Sequence, residues 1–263
     1  MSVITYTNYA SLTGKNVIVT GGAEGIGAAA VKAFSQQDSN VFIFDISEAS
    51  ATKLIEDIKE SGAKAPTFYQ CDVTNLDRLK ELAEKIVSEH KTIDVLVNNA
   101  ASAAGAARVP TMGVTAEGWE FGINVNLRHM LFLSQYVIPH MQKNGGGSII
   151  NMGSINWRIP GSGLPVYTTC KAAIMGLTKT LSKEFGHDNI RVNSVMPGHI
   201  ATERQIKEVM TEEYKKEILA AQSLKRFLTP EEVAKLILFL ASDDASAITG
   251  SSYIADGGWV SDV

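Results

Sequence analysis

Cysteine occurs only twice in the 263 residues, as Cys71 and Cys170. Two thiols build no disulfide framework, and their scarcity fits a reducing compartment. A basic excess is also missing. Lys and Arg number 24 against 28 Asp and Glu, a formal charge of −4 with an isoelectric point near 5.8. Nucleic acid is therefore not an expected partner, since phosphate backbones demand a concentrated basic surface. The longest aliphatic run near the C-terminus covers only residues 236–241, far short of the ~20 residues that span a bilayer, so no membrane partner is expected. The opening residues hold no basic segment followed by an apolar one, and the expected location is cytoplasmic. Linkers, low-complexity tracts and internal repeats are lacking, and 45% hydrophobic with 20% charged residues excludes a disordered chain.

What is present is alternation. Apolar runs at residues 16–20, 41–44, 93–97, 148–151, 191–195 and 252–255 are continuous and rich in Val and Ile, as strands buried on both faces of a parallel sheet are. Amphipathic stretches separate them. Residues 76–90 carry Leu76, Leu79, Leu82, Ala83, Ile86 and Val87 on one stripe, with Thr74 or Asn75 as N-cap. The alternation predicts α/β architecture, a doubly wound parallel sheet with helices on both faces, as a single domain over residues 1–263. Gly145, Gly146 and Gly147 read as a tight connection into the strand at Ser148.

The first run leads straight into Thr20-Gly21-Gly22-Ala23-Glu24-Gly25-Ile26-Gly27 and an Ala-rich helical start. Glycines at 21, 25 and 27 permit tight turns and close approach of a pyrophosphate, whose charge is met by helix N-terminal amides. The register G-x-x-x-G-x-G is preferred over a G-x-G-x-x-A reading from Gly25, which begins four residues too late. This makes the sheet Rossmann-like. Asp45 ends the second run twenty residues beyond Gly25, where a carboxylate can bond an adenosine ribose diol. It would repel a 2′-phosphate, Glu24 adds negative charge, and Ile46 brings no arginine. NAD is expected over NADP.

Tyr167 and Lys171 stand four residues apart, one turn on one helical face. An ammonium there would lower the phenol pKa from about 10, as a general base for an alcohol proton requires.

These motifs, with Asn98-Asn99-Ala100, Ser154, Pro197-Gly198 and Asp256-Gly257-Gly258, make the chain resemble the short-chain dehydrogenase/reductase family along its whole length. The resemblance implies a catalytic tetrad of Asn126, Ser154, Tyr167 and Lys171. Tyr167 takes the hydroxyl proton and Ser154 orients the substrate oxygen. Lys171 also holds the nicotinamide ribose, and Asn126, favoured over Asn124, anchors a relay water. Cofactor contacts are implied for Gly21, Glu24, Gly25, Ile26, Gly27, Asp45, Ile46, Asp72, Val73, Asn99, Ala100, Tyr167, Lys171, Pro197, Gly198, Ile200 and Thr202. Ala101 replaces the family's usual glycine, which matters only if that residue needs positive φ. A homotetramer is implied, built partly on helices around residues 126–141 and 166–185, the second of which is apolar on several sides (Ala172, Ala173, Ile174, Met175, Leu177, Leu181).

Substrate-side positions are polar: Ser154, Asn156, Trp157, Arg158, Tyr167, His199, Arg204 and Gln205. An indole face beside amide and guanidinium donors suits a polyhydroxylated ring, whereas a steroid or long acyl chain wants an apolar pocket. Residues 123–132, 153–157 and 220–225 and the Arg204-Gln205 pair resemble aldose 1-dehydrogenases of the xylose type, implying oxidation of an anomeric carbon to a lactone. The alternatives are a reductase of 3-oxoacyl or small carbonyl substrates and, in a different class, a non-catalytic NAD-sensing scaffold. No metal is expected: His129 and His140 read as surface or interface histidines without neighbouring ligands. Cys170 reads as a small buried residue, and residues 203–221 as a charged amphipathic stretch, either a substrate lid or a surface helix.

Overall fold

A computed structural model describes residues 6–103, 105, 108–159 and 162–260. Its sheet comprises β1 (Asn16–Thr20), β2 (Asn40–Asp45), β3 (Thr67–Gln70), β4 (Val95–Asn98), β5 (Gly147–Met152), β6 (Ile190–Pro197) and β7 (Ser252–Ala255). All seven strands pair in parallel, in the order β3-β2-β1-β4-β5-β6-β7. The expected doubly wound sheet is what forms. Every residue of β1 and β4 is buried, which is why their sequences run apolar without alternation. β3 has no such run. At the sheet edge its Thr67 and Gln70 are exposed while Phe68 and Tyr69 are half-buried, so it escapes a search for continuous apolar segments.

Helices cover both faces: α1 (Gly25–Ser35), α2 (Glu48–Glu60), α3 (Leu76–His90), α4 (Ala116–Ile123), α5 (His129–Lys143), α6 (Pro165–Phe185), α7 (Glu203–Glu208), α8 (Glu212–Ala221) and α9 (Pro230–Ala241). On one face Ala30 and Phe34 of α1 meet Val233 and Ile237 of α9. On the other, Leu79 and Leu82 of α3 join Leu133 and Val137 of α5 over Ile149. α3 keeps its expected limits, and Asn75 is the cap, its side chain accepting from Arg78 N at 3.0 Å. Gly145 (φ +81) and Gly146 (φ +146) make the tight entry into β5.

Winding reverses between β1 and β4, so the crevice at their C-terminal ends is the topological switch point where ligands bind. The loops after β4, β5 and β6 open beside it. The six apolar residues of α6 divide between core and surface. Ile174 and Leu181 are buried within this chain, Met175 and Leu177 are half-buried, and only Ala172 and Ala173 among the six are exposed.

Candidate active site

The turn from β1 to α1 is shaped by its glycines. Gly21 (φ +62) and Gly25 (φ +55) occupy backbone conformations that side chains disfavour, and a Cβ on Gly27 would fall 2.0 Å from the Gly21 carbonyl oxygen. Asn99 braces the turn: its Nδ2 donates to the carbonyls of Thr20 (3.0 Å) and Gly21 (2.9 Å). Thr20 Oγ1 in return accepts from the backbone N–H groups of Asn99 (2.9 Å) and Ala100 (3.0 Å). Ala101 is not among the described non-glycine residues of positive φ, which are Asp38, Lys91 and Asn189, so its methyl carries no such strain.

The N-cap of α1, Glu24, makes no side-chain capping bond. The first-turn amides of an eleven-residue helix therefore face the crevice with the positive end of its dipole. Glu24 is exposed and its carboxylate accepts from Ser50 Oγ at 2.5 Å. Asp45, ending β2, accepts from Ala23 N through Oδ2 (2.9 Å) and from Ser47 N through Oδ1 (3.0 Å). Ile46 beside it is 68% exposed, an apolar face at the crevice rim. Asp72 is exposed and holds Thr74 through N and Oγ1, while Val73 is buried. A cradle that a Cβ would fill, open helix amides and a carboxylate at the end of β2 fit a nicotinamide dinucleotide.

The other end of the crevice comes from β6. Gly198 N donates to the Ala255 carbonyl at 2.9 Å, and a Cβ on Gly198 would strike Asp256 at 2.6 Å. Ile200, buried, follows Pro197 and Gly198. Thr202 caps α7 by accepting from Gln205 N, and its methyl lies 3.2 Å from where a Cβ on Gly25 would sit. The chain thus brings Thr202 against the glycine turn.

Ser154 leaves β5, buried, with its Oγ accepting from Asn156 N at 3.2 Å and its hydroxyl near enough to the Tyr167 phenol to pull the phenol pKa down. Lys171, one turn along α6, is 1% exposed; its Nζ donates to the Met152 carbonyl at 2.7 Å and lies 5.5 Å from the Tyr167 ring centre. The spacing delivers the expected face. It does not deliver the expected electrostatics. Burial raises the Tyr167 pKa above its ordinary value; the Ser154 hydrogen bond and then the Arg204 charge pull it down. Burial also drops Lys171 to about 8. A dry pocket penalises both charges, and the ammonium is spent on the Met152 carbonyl.

Asn126 sits in a π turn (Asn124–Arg128) that joins α4 to α5, a device frequent at functional sites. Its side chain is fully buried and fully used. Oδ1 accepts from Ser102 N, and Nδ2 donates to the carbonyls of Ser102 and Gly122, each at 3.0 Å. Gly122 was not singled out from sequence, yet a Cβ there would meet Val166 Cγ1 at 2.4 Å. Its spacing of four from Asn126 was the available signal. Cys170, buried and pushed up to about 11 by burial, has its thiol 3.7 Å from the same Gly122 carbonyl.

His129 is a correction to the sequence reading. It is fully buried, with Nε2 3.2 Å from the Ala100 carbonyl, and burial followed by the Lys171 charge lowers its pKa to about 3. One turn of helix past Asn126, it packs beneath the Asn99–Ala100 segment and not on a surface. Among the described residues no cluster of side chains could hold a metal ion, and no helix is long and apolar enough to cross a membrane.

Among the residues expected on the substrate side, three carry buried polar atoms without hydrogen-bond partners among the described residues: Trp157 Nε1, His199 Nε2 and Gln205 Oε1. Trp157 and His199 come from the segments after β5 and β6, and Gln205 from α7. The Arg158 guanidinium lies 5.7 Å from the Trp157 ring centre, Asn156 is half-buried, and Arg204 is exposed with its charge felt at Tyr167. Tyr214, missed from sequence, hydrogen-bonds His199 at 3.3 Å. Residues 203–221 form two helices, α7 and α8, where one amphipathic stretch was expected.

A family profile described as enoyl-(acyl carrier protein) reductase matches residues 21–260. The chain belongs to the short-chain dehydrogenase/reductase family. It is an oxidoreductase of that family, whose members use nicotinamide dinucleotides. It is 45% identical to the D-xylose 1-dehydrogenase of Caulobacter vibrioides over 252 residues, covering 95% of this chain and 98% of that one. It is 42% identical to a protein named probable galactose dehydrogenase from Rhizobium meliloti, covering 96% and 97%. The 3-oxoacyl-[acyl-carrier-protein] reductase of Thermotoga maritima is 40% identical, with 95% and 99% covered. Among solved structures, a 7α-hydroxysteroid dehydrogenase complexed with NADH and 7-oxo glycochenodeoxycholic acid superposes with a TM-score of 0.89 at 30% identity, covering 98% and 99%.

Proposed function

We propose that this enzyme is an NAD-dependent sugar 1-dehydrogenase that oxidises the anomeric carbon of an aldose to an aldonolactone. The observation that carries this reading is the full-length similarity to a D-xylose 1-dehydrogenase and a probable galactose dehydrogenase, supported by three buried, unpartnered polar atoms at positions expected on the substrate side, Trp157 Nε1, His199 Nε2 and Gln205 Oε1. A buried polar group without a partner is rare and costly. Several hydroxyls of one sugar would satisfy donors and acceptors together; an acyl chain or a small ketone would leave them bare.

Asp45 and Ile46 at the end of β2, with Glu24 at the N-cap of α1, favour NAD, because a 2′-phosphate would meet two carboxylates and Ile46 brings no guanidinium. Bound nicotinamide supplies the hydride acceptor. The chain's own residues do the rest. Ser154 hydrogen-bonds the substrate oxygen and holds it at the phenol. Tyr167 accepts the proton of the C1 hydroxyl as the C1–H bond breaks, and the new carbonyl with the ring oxygen is the lactone. Lys171, whose Nζ lies 5.5 Å from the Tyr167 ring centre, would hold the nicotinamide ribose hydroxyls. Because the Asn126 side chain is committed to Ser102 and Gly122, relay through Asn126 runs from its main-chain carbonyl.

We further propose a cytoplasmic homotetramer. Ala172 and Ala173 give α6 a flat exposed face, and Phe121 and Leu131, each 43% exposed, lie on the neighbouring helices. The test of function is one plate: NAD and NADP against pentoses, hexoses, acidic sugars, secondary alcohols, a 3-oxoacyl thioester and a steroid. Preference for an aldose with NAD is expected. Preference for the thioester or the steroid, or no turnover with any substrate, refutes the reading.

A further inference from the structure

Tyr214 stands on α8, away from the helix that carries Tyr167 and Lys171, yet it reaches back to the loop after β6. Its hydroxyl lies 3.3 Å from His199 Nδ1, and the rings meet edge-on, 4.9 Å apart at 88°. Arg108, from the loop after β4, is close enough for its charge to act on the same phenol. β4 and β6 flank β5, so these loops stand on either side of the strand that delivers Ser154, and Tyr214 joins them.

The consequence lies on the other side of the imidazole. His199 is neutral at working pH, burial having lowered its pKa to about 4, and a neutral imidazole carries one N–H. Where Nδ1 accepts from the Tyr214 hydroxyl, the ring proton sits on Nε2. That nitrogen is buried and has no partner among the described residues, which leaves a donor prepared for something that arrives. We infer that Tyr214 is a substrate-positioning residue: it fixes His199 as an Nε2–H donor to one oxygen of the sugar and seats α8 over the cleft. This rests on the sugar-dehydrogenase reading above.

Tyr214→Phe keeps the ring and its edge-on contact but removes the hydroxyl that sets the tautomer. The KM for the best aldose should rise about tenfold, the worth of one net hydrogen bond, with kcat within threefold of native and NADH affinity, measured by fluorescence, unchanged. A series of singly deoxygenated sugars adds a readout that general loosening would not move. The native enzyme should discriminate against one deoxy-sugar by at least tenfold in kcat/KM, and Tyr214→Phe should reduce that penalty below threefold. Equal penalties in both enzymes, or a parallel loss of NADH affinity, overturn the positioning role. If the native enzyme oxidises no aldose at all, the underlying sugar reading fails and takes this inference with it.

Discussion

Asp45→Asn separates charge from shape at the position that should choose the cofactor. In the native turn each carboxylate oxygen accepts one backbone N–H, from Ala23 at 2.9 Å and from Ser47 at 3.0 Å. An amide side chain offers a single oxygen. One of those two N–H groups must therefore face an NH₂, and any ribose hydroxyl meets a neutral acceptor. A hydrogen bond to a charged group is worth about 1.5–3 kcal/mol, and 1.4 kcal/mol is tenfold, so NAD should bind about 10- to 100-fold more weakly. NADP should respond in the opposite sense. Unit charges about 4 Å apart repel by ~4 kcal/mol at an effective dielectric near 20. Partial exposure of Asp45 screens much of that, and Glu24 remains. The ratio of kcat/KM for NAD over NADP should still fall at least about tenfold. Fluorescence titration with NADH and NADPH, alongside steady-state kinetics, measures both. A ratio unchanged within twofold would show that Asp45 only braces the glycine turn, and a native enzyme that already prefers NADP would refute the reasoning outright.

Tyr167→Phe preserves the buried ring and deletes the proton acceptor; kcat should drop ~10²- to 10⁴-fold with NADH binding intact, and more than about a tenth of native activity would remove Tyr167 from the base role. Lys171→Met should abolish turnover yet raise the thermal midpoint at pH 7, because burial holds the native ammonium near pKa 8 against an unfolded value of 10.5. The unfolded chain then binds more protons between those two values, so native stability climbs as pH rises through about 8 to 10.5, and the variant's pH–stability curve should be flatter there; parallel curves would contradict the burial of a lone ammonium. Gly27→Ala places a methyl 2.0 Å from the Gly21 carbonyl oxygen and 2.6 Å from Asn99 Nδ2, so the turn must open and NADH affinity should fall beyond detection by calorimetry, whereas near-native affinity would show that the turn is not the cradle.

Most of the sheet was legible because parallel strands covered on both faces must be continuously apolar, as β1 and β4 are. β3 was not, since an edge strand with exposed Thr67 and Gln70 has no such constraint. The glycine register was legible too: positive φ at Gly21 and Gly25 and the closeness of Gly27 to the Gly21 carbonyl leave few alternatives to glycine. Spacing identified Tyr167 and Lys171 as neighbours. It could not reveal their titration, which depends on how dry the assembled pocket is and on Met152, nineteen residues away, claiming the ammonium. His129 misled for a related reason. Its burial comes from the Asn99–Ala100 loop, brought over it from 29 residues earlier in the chain. Tyr214 stayed hidden because its partner is set by how α8 folds back on β6, and a tyrosine on a charged helix carries no periodic signature.

The most direct test of the central claim follows the hydrogen. The aldose with the highest kcat/KM is prepared with deuterium at C1 and turned over with NAD, and both products are examined by mass spectrometry and NMR. If the anomeric carbon is the hydride donor, the label leaves the sugar for the reduced nicotinamide, and the sugar product is an unlabelled lactone or its hydrolysed acid. Deuterium retained at C1 of the product would place the oxidation at another carbon and contradict the account.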